Sequence, residues 1–145
     1  MVADQEKFSI PDDGALERSM EKISAACEQL FFVSEMDAPV EPVALPRMTD
    51  LSPDALLEAL GRSDEEPIQM AAATEFFDRL TRTQEWQSEN EKKLIRRFAH
   101  LSDVLEDELE DIRLFRIGEL QVDIFVIGLT RGGTVAGVRT RAVET

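Results

Sequence analysis

The 145 residues carry 16 basic and 30 acidic side chains, a net charge of −14, with 43% hydrophobic and 32% charged residues. Such a surface is repelled by nucleic acid and by anionic membranes, and no apolar run approaches the ~20 residues of a membrane span. A single cysteine, Cys27, excludes an internal disulfide, and Asp4, Glu6 and Lys7 stand where a signal peptide needs its apolar stretch, so a cytoplasmic protein is expected.

The chain length suits one domain with a sizeable core. Residues 1–11 lack periodicity and are expected to form a flexible N-terminal arm ahead of a single domain over residues 12–145. From Asp12 or Asp13, either of which can cap a helix, Leu16, Met20, Ile23, Cys27 and Leu30 recur at spacings of four and three, the stripe of an amphipathic helix running to about Phe32. Cys27 lies on that stripe, where a buried structural thiol is expected rather than a nucleophile. Ser34 to Pro39 then reads as a polar loop, and residues 40–45 as an edge strand, because Pro42 cannot donate to a ladder on both sides. Ser52-Pro53-Asp54 is a helix start, with a capping hydroxyl followed by proline at the first helical position; Leu56, Leu57 and Leu60 face inward and Gly61 ends the helix. A short strand over residues 68–73 and a brief helix capped by Thr74, with Phe76, Phe77 and Leu80 inward, come next. Ser88-x-x-Glu91 is a capping box opening the longest helix, whose core stripe is Leu94, Phe98, Leu101, Leu105 and Leu109.

The final quarter changes period from 3.6 to 2, as strands require. Residues 112–117 make one strand, Gly118-Glu119 a two-residue turn, residues 120–129 a long strand, Arg131-Gly132-Gly133 a second turn, and residues 134–144 the last strand. In the long strand Leu120, Val122, Ile124 and Val126 point one way and Phe125 and Ile127 the other. Apolar on both faces, it needs cover on both sides and belongs at the centre of a sheet. The fold class expected is therefore α/β of the α+β type: an α/β/α sandwich around a mainly antiparallel sheet.

The charge is unevenly placed. Residues 1–111 hold 11 basic and 27 acidic side chains, a balance of −16, and residues 112–145 hold 5 and 3, a balance of +2. A negative helical portion attracts basic proteins and speeds their encounter; solubility alone explains it equally well.

Little in the sequence suits catalysis. The one histidine, His100, falls off the core stripe beside Lys93, Arg96 and Arg97, no Ser-His-Asp set or phosphate loop can be assembled, and Cys/His metal spacing is absent. Asp103, Glu106, Asp107 and Glu110 share a helical face, which reads as a solvated acidic surface in preference to a cation site. No enzyme, no cofactor and no intrinsic metal are expected. Trp86 sits between polar residues just ahead of a helix cap. A lone tryptophan packs into a core as readily as it anchors a partner, and the sequence leaves both readings open.

Three blocks carry a family resemblance: LFRIGELQVDIFVIGLTRGGTVAGVRTRAVET at the end, LFFVSEMDAPVEP at residues 30–42 and TQEWQSENE at residues 83–91. In that order they resemble the nuclease A inhibitor family, over about residue 12 to the end. The resemblance implies the same sandwich and a stoichiometric inhibitor of a Mg²⁺-dependent, sequence- and sugar-nonspecific DNA/RNA endonuclease that plugs a basic active-site cleft. It also implies that Glu35, Trp86 and Thr145 contact the nuclease, with the Thr145 carboxylate directed toward the partner's metal, a hard cation that takes oxygen ligands. The family's aromatic beside the glutamate has no counterpart in Met36-Asp37-Ala38. The protein is expected to be monomeric when free. The alternative is an acidic interaction module of the same fold whose partner is not a nuclease.

Overall fold

The computed structural model describes residues 13–63 and 65–143. The expected arm at residues 1–11, the Asp12 cap and Thr145 lie outside the described residues. Among those described, four helices pack on a five-stranded antiparallel sheet, with a small two-stranded hairpin beside it.

The first helix, α1 (Asp13–Cys27), ends earlier than its sequence stripe. Gln29 takes a left-handed φ of 53°, which reverses the chain and frees Phe31–Phe32 (β1) to pair with Ala38–Pro39 (β2). The reversal swings Phe32 onto Phe76, where the rings stack 5.7 Å apart. The segment read as a helix end plus polar loop is thus a hairpin. Ile23, Cys27 and Leu30 of the expected stripe are buried, while Leu16 and Met20 are half-buried against the same core and Ala15 and Ser19 beside them are buried.

The edge strand β3 (Glu41–Leu45) pairs with β7 (Val135–Val143), as its proline requires. Helix α2 (Pro53–Ala59) starts as expected, Ser52 Oγ accepting from the Ala55 N–H at 3.1 Å, and the chain turns at Gly61 with φ 69°. β4 (Ile68–Ala72) forms the other edge. α3 (Ala73–Leu80) follows without a break, so Thr74 lies inside the helix and the N-cap is Ala72, whose side chain makes no capping bond. α4 (Glu89–Glu108) has the full capping box, Ser88 and Glu91 each bonding the other's backbone N–H at 3.1 and 2.9 Å. β5 runs Glu110–Ile117, so Glu110 belongs to a strand and not to the acidic helical face; its entry is bulged, with Asp111 at φ 56°.

β6 (Gln121–Leu129) is the middle strand of the order β3-β7-β6-β5-β4. Val122, Ile124 and Val126 enter the core under α1, α3 and α4. Phe125 and Ile127 enter the core under α2, with Phe115, Ile117 and Val135. This is the covered central strand that its two apolar faces demanded. Leu120, expected on the inner face, is 66% exposed, because the chain after Ile117 needs a longer reversal than two residues. Gly118 takes φ 109° there and donates its N–H to the Pro67 carbonyl at 2.9 Å. The second turn forms over residues 131–133, Thr130 and Thr134 closing it with a 2.9 Å bond.

The helices α1 and α4 lie antiparallel. At one end Ser19 Oγ and Lys22 Nζ bind Glu108, at 2.9 and 3.2 Å; at the other the Arg97 guanidinium donates to the Glu28 carbonyl and caps the C-terminus of α1. From the C-terminus of α4 the chain folds back as β5. A helix of this length spans about 30 Å and β5 about 26 Å. The β5–β6 turn therefore returns to the level of the N-terminus of α4.

Candidate interaction surface

That geometry gathers several loops at one end of the molecule: the β1–β2 hairpin, the β5–β6 turn, the end of β7 and the loop ahead of α4. Within the hairpin, Ser34 Oγ accepts the Val143 N–H at 3.2 Å and donates to the Met36 carbonyl at 2.9 Å. A second tie comes from Thr140 Oγ1, which donates to the Pro39 carbonyl at 3.1 Å. The hairpin is thereby pinned to the end of β7, and Glu35, the next residue, is held on the exposed surface. The sequence alone places Ser34 only at the start of a polar loop; its role as the clip to β7 is a long-range contact that no local pattern announces.

Trp86 is 77% exposed. Its placement has a local cause. The Gln87 N–H donates to the Gln84 carbonyl at 3.2 Å, and the Gln87 side chain returns to accept the Gln84 N–H at 2.8 Å. This closed turn abuts the Ser88–Glu91 capping box and leaves the indole on its outer side. Of the two readings the sequence left open, the core one is excluded.

Glu35 and Trp86 thus lie at the same end, each beside a hydrogen-bonded clip. Thr145 is two residues past Val143, the hairpin's partner, and lies outside the described residues. Carboxylates dominate the surface here, with Glu35, Asp37, Glu85, Glu89 and Glu119 exposed. The ordinary chemistry of these side chains suits attraction to a cationic surface.

Adjoining the hairpin, on the α2 side of the sheet, a cleft of about 470 Å³ opens, lined by Ala38, Pro39, Leu60, Arg62, Asp123 and Arg141 among others. Its charges are paired. Arg62 binds Glu66 through two bonds of 2.6 and 2.9 Å and Asp123 at 2.6 Å, and Arg141 reaches Asp123 at 3.0 Å. Burial alone would push the Asp123 carboxyl up, but the hydrogen bonds from Arg62 and Arg141 outweigh it and hold it below the usual range. The bonds that Arg62 donates, to Glu66 first and then Asp123, push its guanidinium up. The network ties the end of α2 to β6 and β7.

Two groups weighed for chemistry are placed plainly. Burial pushes the Cys27 thiol up to about 12, so it stays protonated. His100 is exposed on α4. Among the described residues no cluster of His, Cys, Asp or Glu could hold a metal ion, and no helix is long and apolar enough to cross a membrane.

None of the curated proteins matches this chain. A family model described as nuclease A inhibitor-like protein matches residues 17–145. That span contains all four helices and every strand except the first turn of α1, and includes the hairpin, the Trp86 loop and the sheet. The chain belongs to the nuclease A inhibitor-like family.

Proposed function

We propose that this protein is a stoichiometric inhibitor of a Mg²⁺-dependent, sequence- and sugar-nonspecific endonuclease, acting in the cytoplasm by plugging the enzyme's basic cleft. The observation that carries the reading is Trp86: an indole 77% exposed on a hydrogen-bonded turn, at the end of the molecule that also presents Glu35. A large aromatic left outside the core has no role in folding, and buried aromatics are what anchor protein interfaces. The net charge of −14 favours the same target, because a cleft built to bind phosphates is cationic.

Glu35, Trp86 and Thr145 are proposed as the contacts. Two residues of chain span at most about 7 Å, so a contact made by Thr145 falls within that distance of Val143, which the Glu35 hairpin grips. The Thr145 carboxylate would approach the partner's metal ion, and Glu35 would meet cationic side chains at the cleft. The free inhibitor is proposed to be monomeric.

The second reading is an acidic interaction module with a non-nuclease partner, favoured by the replacement of an aromatic beside Glu35 by Met36-Asp37-Ala38. Titration of nuclease A activity on DNA, with Mg²⁺, separates the two. The inhibitor reading expects a one-to-one end point and weaker inhibition by Glu35→Ala and by deletion of Thr145, with folding unchanged. Absence of inhibition across a set of such nucleases would leave the module reading.

A further inference from the structure

Six large apolar side chains are substantially exposed among the described residues: Phe31, Val33, Met36, Met70, Trp86 and Leu120. Scattered singly they would be ordinary. Five of them, however, lie on the loops gathered at one end: Phe31, Val33 and Met36 on the β1–β2 hairpin, Leu120 on the β5–β6 turn and Trp86 ahead of α4. Met36 and Leu120 are the most exposed after Trp86, at 67% and 66%.

The hairpin and the turn are joined through the sheet. Ser34 Oγ holds the Val143 N–H, and Val143 pairs with Gln121, the residue after Leu120. The hairpin is thus tied to β7, and β7 lies one strand spacing, about 5 Å, from the start of β6. Each tip has the same make-up, an exposed apolar side chain beside carboxylates: Met36 between Glu35 and Asp37, and Leu120 after Glu119. Neither tip carries a cation. The nearest arginines on β7 are engaged, Arg139 with Glu41 at 3.4 Å and Arg141 with Asp123 at 3.0 Å.

We infer that Met36 and Leu120 are two apolar anchors of one docking surface, which extends from the Glu35 hairpin across the ends of β7 and β6 to the β5–β6 turn. Its occupant is the nuclease of the functional reading above, on which this inference rests. The matching face on that enzyme has two apolar depressions, each edged by Lys or Arg. Met36 brings an unbranched thioether that adapts to an irregular pocket. Leu120 adds a contact on a loop that neither Glu35 nor Trp86 shares.

The test measures binding of nuclease A to the full chain by calorimetry, with wild type, Met36→Ser, Leu120→Ser, the double variant and Met70→Ser. Met70 is also half-exposed, but it lies mid-strand on β4 and serves as the control. The inference expects each anchor variant to weaken binding about tenfold or more, from the apolar area lost, and Met70→Ser to change it less than twofold. Melting temperatures should be unchanged, since these side chains contribute little to the core. Equal binding by Leu120→Ser or by Met36→Ser overturns the two-anchor surface while leaving inhibition standing. Failure of wild type to bind any of a set of Mg²⁺-dependent nonspecific nucleases, nuclease A among them, overturns the functional reading and this inference with it.

Discussion

Replacing Trp86 by alanine should separate binding from folding. The indole is 77% exposed. An aromatic of this size offers roughly 200 Å², so about 150 Å² is left for a partner to cover. At about 25 cal/mol per Å² this corresponds to about 4 kcal/mol. Immobilising the side chain costs about 1 kcal/mol, and the remaining ~3 kcal/mol is roughly a hundredfold in Kd. For the isolated protein the same change removes few contacts. The turn that holds Trp86 is closed by Gln84 and Gln87, not by the indole. Stability should therefore fall by less than about 0.5 kcal/mol, or under about 2 °C in melting temperature. The assays are calorimetric melting of the free protein and titration against nuclease A. A melting temperature lowered by 5 °C or more, on the order of 1–2 kcal/mol, would mean the indole packs on its own fold. An unchanged Kd would mean it anchors nothing. Either result refutes the reasoning.

Two further predictions concern the scaffold. The Asp123 carboxyl is held below its usual range in the fold, so its stabilising contribution is present above about pH 4 and is lost as pH falls through the depressed value. Asp123→Asn should cost about 1–2 kcal/mol at pH 7 by leaving Arg62 short of a partner, and the gap to wild type should close in urea melts near pH 2. Gly137 sits on β7 opposite Ile127, where an added Cβ would lie 2.0 Å from the Val126 carbonyl oxygen and 2.8 Å from the Ile127 Cα. These are backbone atoms of the central strand and cannot step aside. Gly137→Ala should destabilise by about 3 kcal/mol, visible as a drop of roughly 10 °C in melting temperature.

The sheet was legible because β6 carries its answer locally. Two apolar faces over nine residues leave only a covered, central position, and the proline in β3 left only an edge. The helix caps were legible for the same reason, since Ser52 and Ser88 meet partners three residues away. What failed was decided at longer range. Helical spacing continued through Leu30, yet the helix stops at Cys27, Gln29 reverses the chain at φ 53° and Phe32 stacks on Phe76, 44 positions on. Leu120 reads as one more apolar residue in an alternating strand. It is exposed because Gly118 bonds Pro67 and widens the reversal, a contact absent from any local pattern. Thr74 has the right chemistry for a cap, but β4 runs straight into α3 and leaves no free turn for it to close. Of the site, the identities of Glu35 and Trp86 came from family resemblance; the exposure of Trp86 and the clip through Ser34 required the fold.

The division of labour between charge and anchors follows from how the loops are held. Glu35 stands next to Ser34, whose hydroxyl is bonded to β7, and Trp86 stands between two glutamines bonded to each other and next to a capped helix. Probes fixed in this way lose less freedom on binding than probes on free loops, so more of each contact survives as affinity. The carboxylates around them act differently. They are solvated and spread over an end of the molecule, where their joint field draws a cationic partner in but is screened over about 8–10 Å by physiological salt. Under the proposed function, charge governs how often the two proteins meet, and the few desolvated anchors govern how long they remain together. Under that reading the two tasks are separable, because the apolar side chains of the tips can be changed without altering the field that brings the partner to them.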